Sequence, residues 1–161
     1  MKYVKKTLIY IAIINAFLFS NSSIAENTKG VWKFIKDPDY CLIESRPIKT
    51  EIPEGKKRGD NYIYVYRINN DPNAVIQITA GYNYKQNTPV KVKIDKSEYE
   101  FYTHQDVPDS AWTEKDNEVI FAMKKGLELT IIGVSSRGTK TVDTYTLKGF
   151  TSAYNKLTED C

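Results

Sequence analysis

The sequence predicts a mainly β protein, an antiparallel sandwich or barrel with two short helices. Three observations carry that reading: period-two alternation along most of the chain, turn residues between the alternating runs, and only two runs at helical spacing. The length of 161 residues suits one domain. With 41% apolar and 27% charged residues, neither a disordered chain nor a membrane bundle fits.

The elements follow in order. Val31 to Lys36 is a first strand, halted by Asp37-Pro38, and Tyr40 to Glu44 is a second. Arg46 to Gly59 reads as loop, with Pro47, Pro53, Gly55 and the Lys56-Lys57-Arg58 run. Tyr62 to Ile68 is β-branched or aromatic almost throughout, hence strand. Asn69-Asn70-Asp71-Pro72 is turn chemistry. In the strand from Ala74 to Ala80, Ile76 and Ile78 face one way and Gln77 and Thr79 the other. Val90, Val92 and Ile94 alternate with Lys91 and Lys93, the clearest half-buried strand, and Asp95-Lys96-Ser97 turns it into Glu98–Thr103.

Asp116 to Lys125 changes period. Val119, Ile120 and Met123 share a helical face, Asp116 or Asn117 is placed to cap it, and Gly126 stands where it would stop. Strands return at Leu127–Val134 and Thr141–Leu147. A terminal helix then runs from Gly149 to Thr158, with Phe150, Ala153, Tyr154 and Leu157 on one side. Eight short strands and two helices in this order suit an antiparallel sheet packed on itself.

Residues 1–25 have the three parts of a secretory signal. Lys2, Lys5 and Lys6 form the basic start, Leu8 to Phe19 is apolar except for Asn15, and Ser23 and Ala25 set a cut before Glu26. The apolar stretch falls short of the ~20 residues that a spanning anchor needs. The expected product is a domain from residue 26 to 161, periplasmic, secreted or at the cell surface, with no stable membrane insertion after cleavage. The leader also explains the charge. Lys2, Lys5 and Lys6 take three of the 23 Lys and Arg, leaving 20 against 20 acids from Glu26 onward. A neutral domain lacks the basic field that nucleic acid requires. Two cysteines remain, Cys41 and the terminal Cys161. In an oxidising compartment they read as one disulfide.

Chemistry-bearing patterns are sparse. His104 is the one histidine and has no patterned partner; a solvated loop residue beside Gln105-Asp106 is the better reading. No G-x-S-x-G elbow occurs. Glu98, Glu100 and Asp106 suit the outer face of a strand better than a glycosidase pair. No catalytic residue, cofactor or metal is expected. Tyr62, Tyr64 and Tyr66 line one face of a strand, and Tyr82 and Tyr84 follow, so these five are a candidate surface for a sugar or protein partner, against a reading as packing residues. Arg58-Gly59-Asp60 is the tripeptide that integrins recognise, accessible before a strand, yet Gly-Asp there is also ordinary turn chemistry. Ser135 to Thr139 links two strands; Gly138 is expected at positive φ. Arg137 beside it is placed to pair with Asp143 or to receive an anion, which adds it to the candidate surface.

Several runs resemble the invasion-associated locus B family. They are Arg58-Gly59-Asp60 before Tyr62-Ile63-Tyr64-Val65, Ala80 to Lys85, Ala122 to Gly126, Ser136-Arg137-Gly138-Thr139 with Asp143-Thr144-Tyr145, Leu147 to Tyr154, and Cys161. The resemblance covers roughly Trp32 to Cys161, with its most specific run from Ser136 to Tyr154. It implies an immunoglobulin-like β-sandwich, export, and assistance to bacterial entry into host cells, and it supplies no catalytic residues. Many members carry further cysteines near the N-terminus, where this chain has only Cys41. The expected function is thus an exported non-enzymatic envelope or surface protein, with an unidentified envelope or host-surface partner. The alternative is a periplasmic binding module for a glycan, peptide or envelope component.

The exported protein should begin at Glu26 and weigh less than its reduced form by two hydrogens, one per thiol. Intact mass before and after reduction checks both; a product retaining Lys2 to Ala25, or one with two free thiols, would contradict the reading.

Overall fold

The structure, a computed structural model, describes residues 29–68 and 71–161. The leader expected over residues 1–25, and Asn69-Asn70 of the expected turn, lie outside them. The strands are β1 (Lys33–Lys36), β2 (Tyr40–Ser45), β3 (Lys49–Glu51), β4 (Tyr62–Ile68), β5 (Val75–Thr79), β6 (Val90–Ile94), β7 (Ser97–His104), β8 (Val107–Trp112), β9 (Glu128–Val134) and β10 (Lys140–Thr146). Helix α1 (Asp116–Lys125) precedes β9, and α2 (Phe150–Glu159) follows β10. Every expected strand and helix is present, with ends that differ by one or two residues.

Two strands escaped the sequence reading. Strand β3 is three residues long and exposed throughout, so no alternation marks it. Strand β8 contains Pro108 and Asp109, residues that read as turn.

The strands form one antiparallel ladder in the order β1-β2-β4-β5-β8-β7-β6-β9-β10-β3. Strand β7 is the corner: Ser97 to Phe101 pairs with β6, whereas Tyr102 to His104 pairs with β8 across a bulge. The other corner is the chain itself, since β2 at one end runs through Arg46-Pro47-Ile48 into β3 at the opposite end. That link is fastened by the Ile48 N–H, which donates to the Thr144 carbonyl at 2.8 Å. The result is a sheet curled into a half-barrel. The immunoglobulin-like sandwich expected from the resemblance therefore holds at the level of a mainly β antiparallel fold; the two faces here are halves of one strand-continuous ladder.

Curling puts one side chain in two inside. Cys41, Ile43, Ile63, Val65, Ile76, Ile78, Val90, Val92, Phe101, Leu129, Ile131 and Tyr145 are buried on the inner face. Helix α2 adds Phe150, Ala153 and Leu157 and lies against β1 and β2. Trp32 meets the edge of Phe150 at 4.8 Å and donates its indole N–H to the Thr146 carbonyl at 3.0 Å. Cys161 bonds to the fully buried Cys41, 120 residues away in the chain.

The cap of α1 differs from the expectation. Its first helical residue is Asp116, and Lys115 at the cap position makes no side-chain capping hydrogen bond. Asp116 instead accepts the Ile76 N–H at 2.7 Å, tying the helix to β5. Burial raises that carboxyl above its ordinary pKa, and the Ile76 N–H works against the rise.

The disulfide closes a loop of more than a hundred residues and holds α2 on the sheet. Cys161→Ser should lower unfolding free energy by ~2–5 kcal/mol. Urea titration checks this; an unchanged midpoint would show that α2 docks through its apolar face alone.

Candidate functional site

The structure divides the six candidate residues between two places. Tyr62, Tyr64 and Tyr66 alternate with the buried Ile63 and Val65, so they stand on the outer face of β4. Register extends them into cross-strand rows: Glu44–Tyr64–Gln77, Leu42–Tyr66–Val75, and Tyr62–Thr79–Ser110. Tyr62 and Tyr64 stack at 5.4 Å with planes 23° apart. The Arg46 guanidinium lies 4.5 Å from the Tyr62 ring centre, donates to its hydroxyl, and pairs with Asp60 at 3.2 Å. These rows form an open trough of about 710 Å³, floored by Tyr64, Tyr66 and Leu42 and edged by Glu44, Gln77 and Asp109. Partial burial, with Glu44 adding to it, pushes the Tyr64 phenol up to about 12. It remains a neutral hydroxyl donor and acceptor at physiological pH.

Tyr82 and Tyr84 are elsewhere. Tyr84 is 2% exposed, inside the half-barrel, and meets Tyr82 edge-on at 5.4 Å. It belongs to the core, and its phenol is raised by burial well beyond the ordinary range. Tyr82 is half-buried, and its hydroxyl shares a 2.7 Å hydrogen bond with Thr141. Room for the pair comes from Gly133, where a Cβ would lie 2.5 Å from the Tyr82 hydroxyl and 2.8 Å from the Tyr84 ring.

Arg137 is exposed and forms no ion pair with Asp143. The partner of Asp143 is Arg58, 85 residues earlier in the chain, and both side chains are more than nine-tenths buried. Thr50 of β3 donates to the same carboxylate oxygen at 2.8 Å. This decides between alternatives that the sequence left open. Arg137 is free of Asp143, and Arg58-Gly59-Asp60 is not an open recognition tripeptide, because its arginine points inward. Gly59 donates to the Gly81 carbonyl at 2.9 Å, and Gly81, at φ +71°, allows an approach in which a Cβ would overlap the Gly59 carbonyl.

The sequence carried one signal for this pair. Thr141, Asp143 and Tyr145 share a face, and a carboxylate in register with a buried tyrosine needs a cation inside. Which cation answers was not legible, since Arg58 arrives on a loop.

The expected turn is confirmed. Gly138 has φ +82°, and its N–H donates to the Ser135 carbonyl at 2.7 Å.

His104, Glu98, Glu100 and Asp106 line one open cleft of about 790 Å³ along β7. Size alone does not make it reactive. Lys91 and Lys93 bond Glu98 at 3.1 and 3.2 Å and hold its carboxyl below the ordinary range, the opposite of what a general acid needs. The His104 side chain is 62% exposed. Among the described residues no group of three or more His, Cys, Asp or Glu is arranged to hold a metal ion. Nor, among them, is any helix long and apolar enough to cross a membrane.

Fold and surfaces together define a disulfide-tied antiparallel β protein whose outer face presents side chains suited to recognition. The profile of the Invasion associated locus B (IalB) protein family matches residues 50–158, and the chain belongs to that family. The matched span holds Tyr62, Tyr64 and Tyr66 of β4, Arg58, Arg137 and Asp143, and neither cysteine. Among solved structures, the crystal structure of invasion associated protein b from Bartonella henselae is similar in fold, with a TM-score of 0.58 at 19% identity over 81% of this chain and 93% of that one. No curated protein sequence matches significantly.

Removing the partner of the buried Arg58 and removing the exposed Arg137 should have different costs. Asp143→Ala strands a buried cation and should cost ~3–5 kcal/mol. Arg137→Ala should leave stability within ~0.5 kcal/mol, as expected of a surface side chain. Gly138→Val should cost ~1–3 kcal/mol from backbone strain alone, because a Cβ there meets nothing within 4 Å. Thermal unfolding of the three variants checks the order; equal losses for Arg137→Ala and Asp143→Ala would refute it.

Proposed function

We propose that this protein is an exported, non-enzymatic binding factor of the cell envelope or host surface, and that it assists bacterial entry by holding a glycan on its outer tyrosine face. The observation that carries the reading is the trough of β2, β4 and β5. Tyr64 and Tyr66 stand in its floor beside Glu44, Gln77 and Thr79, so flat apolar rings alternate with hydrogen-bonding groups. Sugar rings present the same alternation of apolar faces and polar edges, which suits stacking on tyrosine. Family membership supports the entry role, and the leader-like residues 1–25 support export. The Lys-paired Glu98 and exposed His104 of the other cleft support a reading of binding over turnover.

A glycan array probed with the purified protein tests this. The Tyr64→Ala/Tyr66→Ala double variant should lose about tenfold or more in affinity for whichever glycan is retained, the scale of truncating aromatic anchors. Its folding should stay cooperative. Entry into cultured cells by bacteria carrying the double variant should fall with the same change. Conversion of any retained glycan, or retention unchanged in the variant, would overturn the proposal.

A further inference from the structure

We infer that a second site, separate from the tyrosine trough, binds a phosphate monoester in the pocket beside the Ser135–Thr139 turn. The pocket encloses about 330 Å³. Lys56, Lys57, Arg58 and Arg137 line it, with Tyr82, Ser136 and Thr139 among its other residues, and no acid does. That composition is not a consequence of overall charge. From Glu26 onward the chain carries 20 cations and 20 acids, so three unpaired cations around one concavity are a local concentration.

The charge is available. Lys56, Lys57 and Arg137 are exposed, and among the described residues none of them forms an ion pair. Asp143, the carboxylate paired with the lining residue Arg58, is 6% exposed and already committed to Arg58 and Thr50. Arg58 thus forms a neutralised wall whose Nη1, sealed from solvent, has no acceptor. The turn is rigid: Ser135 N–H donates to Thr139 O at 2.8 Å, Thr139 N–H to Ser135 Oγ at 3.1 Å, and Ser136 N–H to Asn83 O at 2.7 Å. Arg137 is therefore held at the rim on fixed backbone, facing the lysines of the loop opposite.

A dianion with three terminal oxygens matches donors arriving from both rims, and a guanidinium fork engages two of those oxygens at once. The volume exceeds a bare ion and falls at the small end of ligand pockets, so the anion carries a compact body such as a single sugar ring. Such a group comes either as a free sugar phosphate or as the headgroup of a phosphomonoester lipid.

Calorimetric titration of the full-length exported protein with glucose 6-phosphate tests the site, with glucose as control. Binding should be measurable for the phosphate, absent for glucose, and weakened by added sodium chloride. Arg137→Ala and Lys57→Gln should each weaken it roughly tenfold, while Lys148→Gln and Tyr64→Ala/Tyr66→Ala should leave it unchanged. Flotation with phosphatidic acid vesicles, against phosphatidylcholine vesicles, separates the sources: capture by the former supports a lipid headgroup, and its absence alongside glucose 6-phosphate binding supports the free sugar. Failure to bind glucose 6-phosphate and phosphatidic acid alike would overturn the inference. So would binding unaltered in Arg137→Ala, or retention on heparin with no response to either glucose 6-phosphate or phosphatidic acid, which would mark a diffuse basic patch.

Discussion

Asp143 is a carboxylate at an inward position of a strand, and much of the molecule is arranged around meeting that charge. Leaving an ion in such a place unpaired would cost several kcal/mol. The answer comes from three directions. Arg58 enters from the loop between β3 and β4, Thr50 donates from β3, and Tyr82 lies under the guanidinium, 5.8 Å from ring centre to carbon. Each of these has its own requirement. Arg58 reaches inward because the Gly59 and Gly81 backbones touch, and Tyr82 fits because Gly133 has no side chain. A single buried pair thus fixes the path of a long loop, the placement of β3 and the floor of a pocket.

The curl of the sheet does the rest. A ten-stranded ladder has two edges and one apolar face, and flat it would expose both. Bending at β7 and running β2 directly into β3 turns the apolar face inward and brings the two ends of the ladder together at the Arg46–Ile48 link. Helix α2 covers part of β1 and β2, and the Cys41–Cys161 bond pins it there. Among the described residues no second layer covers the outer face of β4. The tyrosines there are half-exposed for a topological reason.

The two proposed sites draw on different parts of this frame. The trough depends on strand register across β2, β4 and β5, whereas the phosphate pocket depends on two loops held by turn hydrogen bonds and glycine contacts. Neither borrows a residue from the other, so their ligands can be bound independently. Family membership does not by itself assign a task to either, since a shared fold carries many functions. The chemistry of each surface has to carry its own reading.

Much of the fold was legible in the residues alone. Alternation located eight strands, helical spacing located α1 and α2, and an even pair of cysteines behind a leader-like start named the disulfide. These are local signals, because side-chain period and turn chemistry act over a few residues. The outward stance of Tyr62, Tyr64 and Tyr66 was half-legible: alternation put them on one face, but only the burial of Ile63 and Val65 says which. What the sequence could not decide was everything that depends on distant segments meeting. The curl joining β2 to β3, the separation of Tyr82 and Tyr84 from the other tyrosines, and the choice of Arg58 over Arg137 as partner of Asp143 all arise from contacts across many tens of residues. Arg137 stands six positions from Asp143 and Arg58 stands 85. Nearness in sequence favoured Arg137, but its turn points it to solvent, and the interior carboxylate is reached by the arginine whose backbone passes beside Gly81.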